Sequence, residues 1–139
     1  MPEININSLV PSILALQFVA FGWRINREIP VGDAGRKTWF PLPDIINILS
    51  MLGVTFFCVI APLESGSFDD KSRGVLAAAF VLIAFHPICM VGHYRLFTAA
   101  GRHIYTLRKQ DYPYCTGAEA ALLLIAVTLA VGMGWCVML

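Results

Sequence analysis

One apolar run contains four side chains that can bind a metal ion or a haem iron. His86, Cys89, Met90 and His93 follow the i, i+3, i+4, i+7 spacing and therefore share one face of a helix. An ionisable side chain inside a membrane span is costly and indicates function by default. The alternative is that each histidine hydrogen-bonds a neighbouring helix, since Pro87 leaves a backbone carbonyl unpaired one turn earlier. No cofactor is predicted outright; haem or quinone beside His86 and His93 remains an alternative.

A second polar set lies near the ends of the apolar runs. Asp44 follows Phe40 by four residues and His93 precedes Phe97 by four, which places both about 6 Å from the same membrane boundary. We therefore expect Asp44 and His93 to meet. The whole predicted cluster consists of Arg24, Asp44, Asn47, His93, Arg95 and Glu119. It could form a proton or ion site, a pocket for a quinone headgroup, or a charge-balanced contact between helices.

The composition indicates that these residues belong to a membrane protein. The chain has 139 residues, of which 58% are hydrophobic and 14% charged, against about 25% charged in a soluble domain. A small soluble domain has a large surface to cover with polar groups, and this chain has too few of them. The net charge of +1 offers no basic patch for nucleic acid.

Four apolar runs are long enough to cross a bilayer as helices. They cover 4–23, 40–63, 74–97 and 118–139 and form one domain. Polar residues dilute the first run, so a helix lying in the membrane interface is the alternative there. The short connections predict an all-α membrane protein in which the four helices form an antiparallel bundle. Thr116 and Glu119 have the spacing of a capping box at the start of the last helix.

Basic residues are distributed unequally between the connections. Eight of the ten Lys and Arg residues lie in or beside the first and third connections. The positive-inside rule makes that side cytoplasmic, or its organellar equivalent, and leaves both termini outside. We therefore expect a multi-pass protein of a bacterial inner membrane or an organellar membrane.

Two surfaces are candidates for contacts with partners. In the fourth span Ala126, Ala130 and Gly134 recur every four residues, a spacing that permits close helix packing; Thr128, Gly132 and Cys136 form a second such set. The third connection mixes cations and an aromatic ring, which suits an anionic lipid headgroup or a partner subunit. Its residues are Arg102, Tyr105, Arg108 and Lys109. The alternative is that these charges only determine topology.

No sequence motif identifies a reaction, and the chain is expected not to be an enzyme. It lacks a glycine-rich phosphate loop, a zinc-protease motif and a nucleophile elbow. The first hypothesis is a non-catalytic subunit that packs in a larger or homo-oligomeric membrane complex. The second is an oligomeric transporter or channel for ions or small solutes, which would use the predicted polar cluster and a polar stripe on the second span from Asp44 to Cys58. The third is a membrane redox subunit that binds haem or quinone.

The distribution of charge predicts the topology. A single cysteine placed at Ser67 in a cysteine-free variant should react with a membrane-impermeant maleimide added from outside, whereas one placed at Ala34 should not. Labelling of Ala34 alone would reverse the orientation, and equal labelling of both positions would contradict four spans.

Overall fold

The computed structural model describes residues 6–35, 38, 40–97 and 115–139, and the regular structure in these ranges is helical. Helix α1 spans Ile6–Asp33, α2 spans Leu42–Ser65, α3 spans Asp70–His93 and α4 spans Gly117–Met138. All four are long and apolar enough to cross a membrane. The prediction of an all-helical protein with four such helices is therefore confirmed.

Helix α1 continues well beyond Trp23, where the predicted first span ends, and stops at Asp33. The sequence interpretation treated Arg24 as the point where the chain leaves the membrane, because a lone charge is unfavourable inside a span. In the structure Arg24 is only 2% exposed and lies against other helices, so the charge does not end the helix. The last turn closes on Gly35, which has the positive φ of 68° that glycine adopts without strain.

Helix α2 begins after Pro41 and carries Asp44 in its first turn, where the positive end of the helix dipole favours a carboxylate. A π-helical turn at Phe56–Ile60 interrupts it. Such a turn disturbs the regular backbone ladder. The carbonyl oxygen of Phe57, inside that turn, accepts a hydrogen bond from Oγ of Ser72 at 2.5 Å. The irregular turn is thereby tied to the start of α3.

Both ends of α3 are capped. At the start, the carboxylate of Asp69 accepts a hydrogen bond from the Ser72 amide at 2.8 Å, and this bond lowers the pKa of Asp69 below its usual value. At the end, the amide of Leu96 donates to Val91 and that of Arg95 to Gly92, the pattern of a Schellman motif. Arg95 holds the left-handed position with φ of 53°, which a glycine would normally occupy.

Helices α3 and α4 approach each other closely through small residues. Gly134 packs against Gly74, and a Cβ atom added at Gly74 would lie 2.8 Å from the Gly134 carbonyl oxygen. Ala126 and Ala130 on the same face of α4 are 1% and 3% exposed. This contact accounts for the spacing of small residues on that face, because larger side chains would push the backbones apart.

Helix α3 also packs against α1 and α2, so it is the element that all three other helices contact. The apolar core between α1, α2 and α3 is small and consists of Val10, Ile13, Val54, Cys58, Leu76 and Ala79. Most large apolar side chains face outward instead, as expected for helices surrounded by lipid. Helix α4 packs mainly on α3, which leaves much of its surface uncovered.

Gly134→Ala should destabilise the fold, because the new methyl group would sit 3.0 Å from the Gly74 carbonyl oxygen. Overpacking of this kind costs about 1–3 kcal/mol. Gly22→Ala is the matched control, since a Cβ atom there meets nothing within 4 Å. The free energies of unfolding would be compared in detergent. Equal stability of the two variants would show that the α3–α4 contact is looser than described.

Candidate functional site

The centre of the candidate site is the guanidinium group of Arg24, which is buried between α1, the first turn of α2 and the end of α3. Its Nη2 atom lies 2.9 Å from Oε1 of Glu28, one turn later on α1. Its Nε atom lies 3.0 Å from Oδ2 of Asp44, on α2. The side chains of Arg24 and Asp44 are only 3% and 2% exposed. A buried charge without a partner would be strongly destabilising, so these two counter-ions permit Arg24 to stay inside.

The second oxygen of Asp44 reaches across to α3. Oδ1 of Asp44 lies 2.8 Å from Nε2 of His86. Because this carboxylate serves as the counter-ion of Arg24, it accepts and His86 Nε2–H donates. The donation fixes the tautomer of a neutral His86, with its proton on Nε2. Asp44 thus connects α1 to α3 through one side chain.

Tyr94, just past the end of α3, completes the arrangement. Its hydroxyl group accepts hydrogen bonds from Arg24 and Arg27. The guanidinium carbon of Arg27 also lies 4.2 Å from the centre of the Tyr94 ring, a cation–π contact. We call the set the charged network; its members are Arg24, Arg27, Glu28, Asp44, His86 and Tyr94. Two guanidinium groups and two carboxylates balance in charge, so the network is neutral when His86 is neutral.

A separate pair joins α3 to α4. Nδ1 of His93 lies 2.8 Å from Oε2 of Glu119, and the two side chains are 2% and 0% exposed. The same oxygen accepts the backbone amide of Thr116 at 3.1 Å, and Thr116 Oγ1 accepts the amide of Glu119 at 3.0 Å, which confirms the predicted capping box. Thr116 Oγ1 also donates to the carbonyl of Gly92 at 2.9 Å. The cap of α4 is therefore docked on the last turn of α3.

Glycine at position 92 makes this docking possible. A Cβ atom there would lie 3.1 Å from the amide nitrogen of Glu119. The other oxygen of Glu119, Oε1, is buried and has no hydrogen bond to any residue that the structure describes.

Uncharged polar side chains fix α1 to α2 beside the charged network. Nε2 of Gln17 donates to Oγ of Ser50 at 2.9 Å, and Nδ2 of Asn47 donates to the carbonyl of Gln17 at 3.3 Å. Gln17 and Asn47 are 0% and 4% exposed. The polar residues that dilute the first span therefore include one, Gln17, that holds the span to its neighbour.

The expected contact between Asp44 and His93 is replaced by two others, Asp44 with His86 and His93 with Glu119. The depth estimate placed the end of the third span at Phe97, whereas α3 ends at His93, and this error accounts for part of the difference. His86 lies two turns deeper, about 10 Å from His93 along the helix axis. Arg24, which the sequence placed in one cluster with Asp44, lies 3.0 Å from it in the structure.

The sequence interpretation missed Glu28 and Tyr94 as partners of Arg24. The i, i+4 spacing of Arg24 and Glu28 is a recognisable signal for an ion pair on a helix. This signal was not used, because the predicted first span ends at Trp23 and Glu28 therefore fell in the connection after it. Tyr94 lies near the end of the predicted third span, a position typical of aromatic side chains at a membrane surface, yet it is only 9% exposed and its hydroxyl group accepts from both arginines.

The other predicted site residues are the two candidate ligand-binding histidines, Arg95 and four residues of the third connection. His86 and His93, the candidates for binding haem or quinone, each direct one ring nitrogen to a carboxylate. Arg95 is half-buried in the turn after α3. Within the described ranges, no group of three or more His, Cys, Asp or Glu side chains could hold a metal ion. Outside the described residues lie the predicted lipid or partner contacts Arg102, Tyr105, Arg108 and Lys109.

Comparison with known proteins supplies no relative: no family model, no curated protein and no solved structure matches the chain.

A double-mutant cycle should detect the contact between Asp44 and His86. Asp44→Asn and His86→Phe should each destabilise the protein, and the double variant should cost less than their sum by about 0.5–3 kcal/mol, because each single change leaves a buried partner unsatisfied. The measurement is the free energy of unfolding in detergent. Asp44→Asn combined with Ser72→Ala is the control. Ser72 is on the same helix as His86 but about 21 Å away, so these two changes should be additive. Additivity in both cycles would contradict the contact.

Proposed function

We propose that this protein is a small, non-catalytic membrane subunit that packs within a larger or homo-oligomeric complex. The observation that carries the proposal is the uncovered face of α4. One set of small residues on this helix, Ala126, Ala130 and Gly134, is buried against α3. The other set, Thr128, Gly132 and Cys136, is exposed on the opposite side of the helix.

The second set supports a helix contact outside the chain. A Cβ atom added at Gly132 would meet nothing within 4 Å. Glycine in a helix costs about 1 kcal/mol relative to alanine, so a face that met only lipid would be better served by larger apolar side chains. Small residues at four-residue spacing allow the backbone of another helix to approach closely. A helix from a second copy or from a different subunit fits that surface.

The polar stripe of α2 gives the transporter hypothesis less support. Asp44 and Asn47 are directed at α1 and α3, and Thr55 bonds to the backbone of Met51 in its own helix. Cys58 donates to the carbonyl of Ser72 on α3. These groups are occupied in joining helices, whereas a conduction path needs polar groups that face a water-filled space.

We propose an antiparallel four-helix bundle in a bacterial inner membrane or an organellar membrane, with both termini on the non-cytoplasmic side. Contacts support alternating helix directions, because the start of α3 at Gly74 lies beside Gly134, near the end of α4, while Gly92 lies beside Glu119. Anionic lipid or a partner subunit would contact the basic connection between α3 and α4.

Gly132→Leu should weaken assembly without unfolding the chain. The native mass of the tagged protein, extracted in mild detergent, should exceed that of one 15.3 kDa chain, either as copies or with other subunits. Gly132→Leu should shift most of it to the single chain, because the leucine holds the facing helix away.

Val131→Leu is the control for this experiment, since Val131 is 66% exposed on another side of α4 and should leave the assembly unchanged. Circular dichroism would establish that both variants stay helical. A wild-type protein that runs as a lone chain, with the same mass for Gly132→Leu, would contradict the subunit proposal.

A further inference from the structure

A cleft between α1 and α3 opens on the outer surface of the helices beside the charged network. Its volume is about 430 Å³, and its walls are almost entirely apolar. Leu16, Val19 and Trp23 on its α1 side are 54%, 69% and 58% exposed. In a membrane these side chains would face the lipid tails, so the opening would be reached sideways from the bilayer. A molecule dissolved in the membrane could enter without crossing water.

His86 is a polar side chain at the wall of this cleft, and one of its ring nitrogens has no partner among the described residues. His86 lines the cleft and is only 7% exposed. Its Nε2 atom is engaged by Asp44, and its Nδ1 atom makes no hydrogen bond to any residue in the described ranges. Since Asp44 holds the proton on Nε2, Nδ1 of the neutral ring has a free lone pair and accepts a hydrogen bond. An acceptor that faces an apolar cleft without a partner is unfavourable, so a ligand with a hydroxyl group would gain affinity there.

The surroundings of His86 favour a ring-shaped headgroup. Trp23 and Tyr94 line the same cleft, and aromatic side chains pack well against a flat ring in offset or edge-to-face geometry. Met90, at the same wall, adapts to irregular shapes. The volume lies within the range of about 300–1,000 Å³ that is usual for small-molecule sites. It has room for one ring and the first part of an alkyl tail.

We propose that this cleft binds the reduced form of a quinone-type lipid, with a phenolic hydroxyl of the quinol donating a hydrogen bond to Nδ1 of His86. The apolar tail would extend past Leu16 and Val19 into the bilayer. The quinol is favoured over the oxidised quinone, because a quinone carbonyl can only accept and would face the lone pair of Nδ1. Asp44 is a positioning residue in this site, since it fixes the tautomer of His86 without touching the ligand.

Equilibrium dialysis against protein in lipid nanodiscs tests the proposal with decyl benzoquinol and its dimethyl ether under reducing conditions. The ether has the same ring and tail but no hydroxyl donor. The quinol should bind saturably and at least about tenfold more tightly than the ether, the ratio that one hydrogen bond of ~1.4 kcal/mol supplies. Equal binding of the two compounds would overturn the hydrogen bond to His86 and leave an apolar groove filled by lipid tails.

Ala20→Phe provides a variant that leaves the charged network intact. Ala20 lines the cleft, and phenylalanine there should fill it and weaken quinol binding at least about tenfold. Ala121→Phe is the matched control, because Ala121 is exposed on α4, which does not line the cleft. It should bind the quinol as the wild type does. His86→Phe should reduce quinol binding to the level of the ether. Unchanged quinol binding by Ala20→Phe would show that the ligand sits elsewhere and would overturn the proposal.

Discussion

A guanidinium group inside a set of apolar helices must have counter-ions, and this requirement organises the structure. Arg24 is nearly inaccessible, and its counter-ions come from two helices: Glu28 from its own helix and Asp44 from α2. Removing a charge from water costs several kcal/mol, which a well-placed opposite charge must offset. Through His86, Asp44 also reaches α3. These contacts therefore join α1 to α2 and, through His86, to α3, beside a small apolar core.

Helix α3 is joined to its neighbours by polar contacts near its end and by close packing of small residues near its start. Near its end it provides His86 to Asp44 and His93 to Glu119, so two carboxylates from different helices meet the same helix. Near its start Gly74 allows the backbone of α4 to approach. Polar contacts specify which residues face one another, because a buried polar group that makes no hydrogen bond is costly in a low dielectric. Small-residue packing then fixes the distance between α3 and α4. The cleft beside His86 lies between α1 and α3, next to the polar contacts.

The sequence predicted the features that depend on local pattern. Runs of apolar residues identified four helices, and the spacing of Thr116 and Glu119 identified the cap of α4. The sequence did not predict which side chains pair between helices. Such pairs depend on where each helix begins and on how far it is shifted along its axis relative to its neighbours. A shift of four residues at the end of α3 moves a side chain by about 6 Å and turns it to a different neighbour. The end of α1 was misplaced for a similar reason. The charge of Arg24 indicated the end of the first span, because the sequence did not show that Glu28 and Asp44 are its counter-ions.

The contact that carries this account is the one between Arg24, Asp44 and His86, and it can be measured directly. Solid-state NMR of the ¹⁵N- and ¹³C-labelled protein in lipid bilayers reports through-space transfer between the Asp44 carboxyl carbon and the side-chain nitrogens of Arg24 and His86. The account predicts transfer from Asp44 to Nε of Arg24 and to a protonated Nε2 of His86, with Nδ1 of His86 showing the shift of an unprotonated nitrogen. Resolved signals with no transfer from Asp44 to either nitrogen, or a His86 ring protonated on Nδ1 alone, would contradict it.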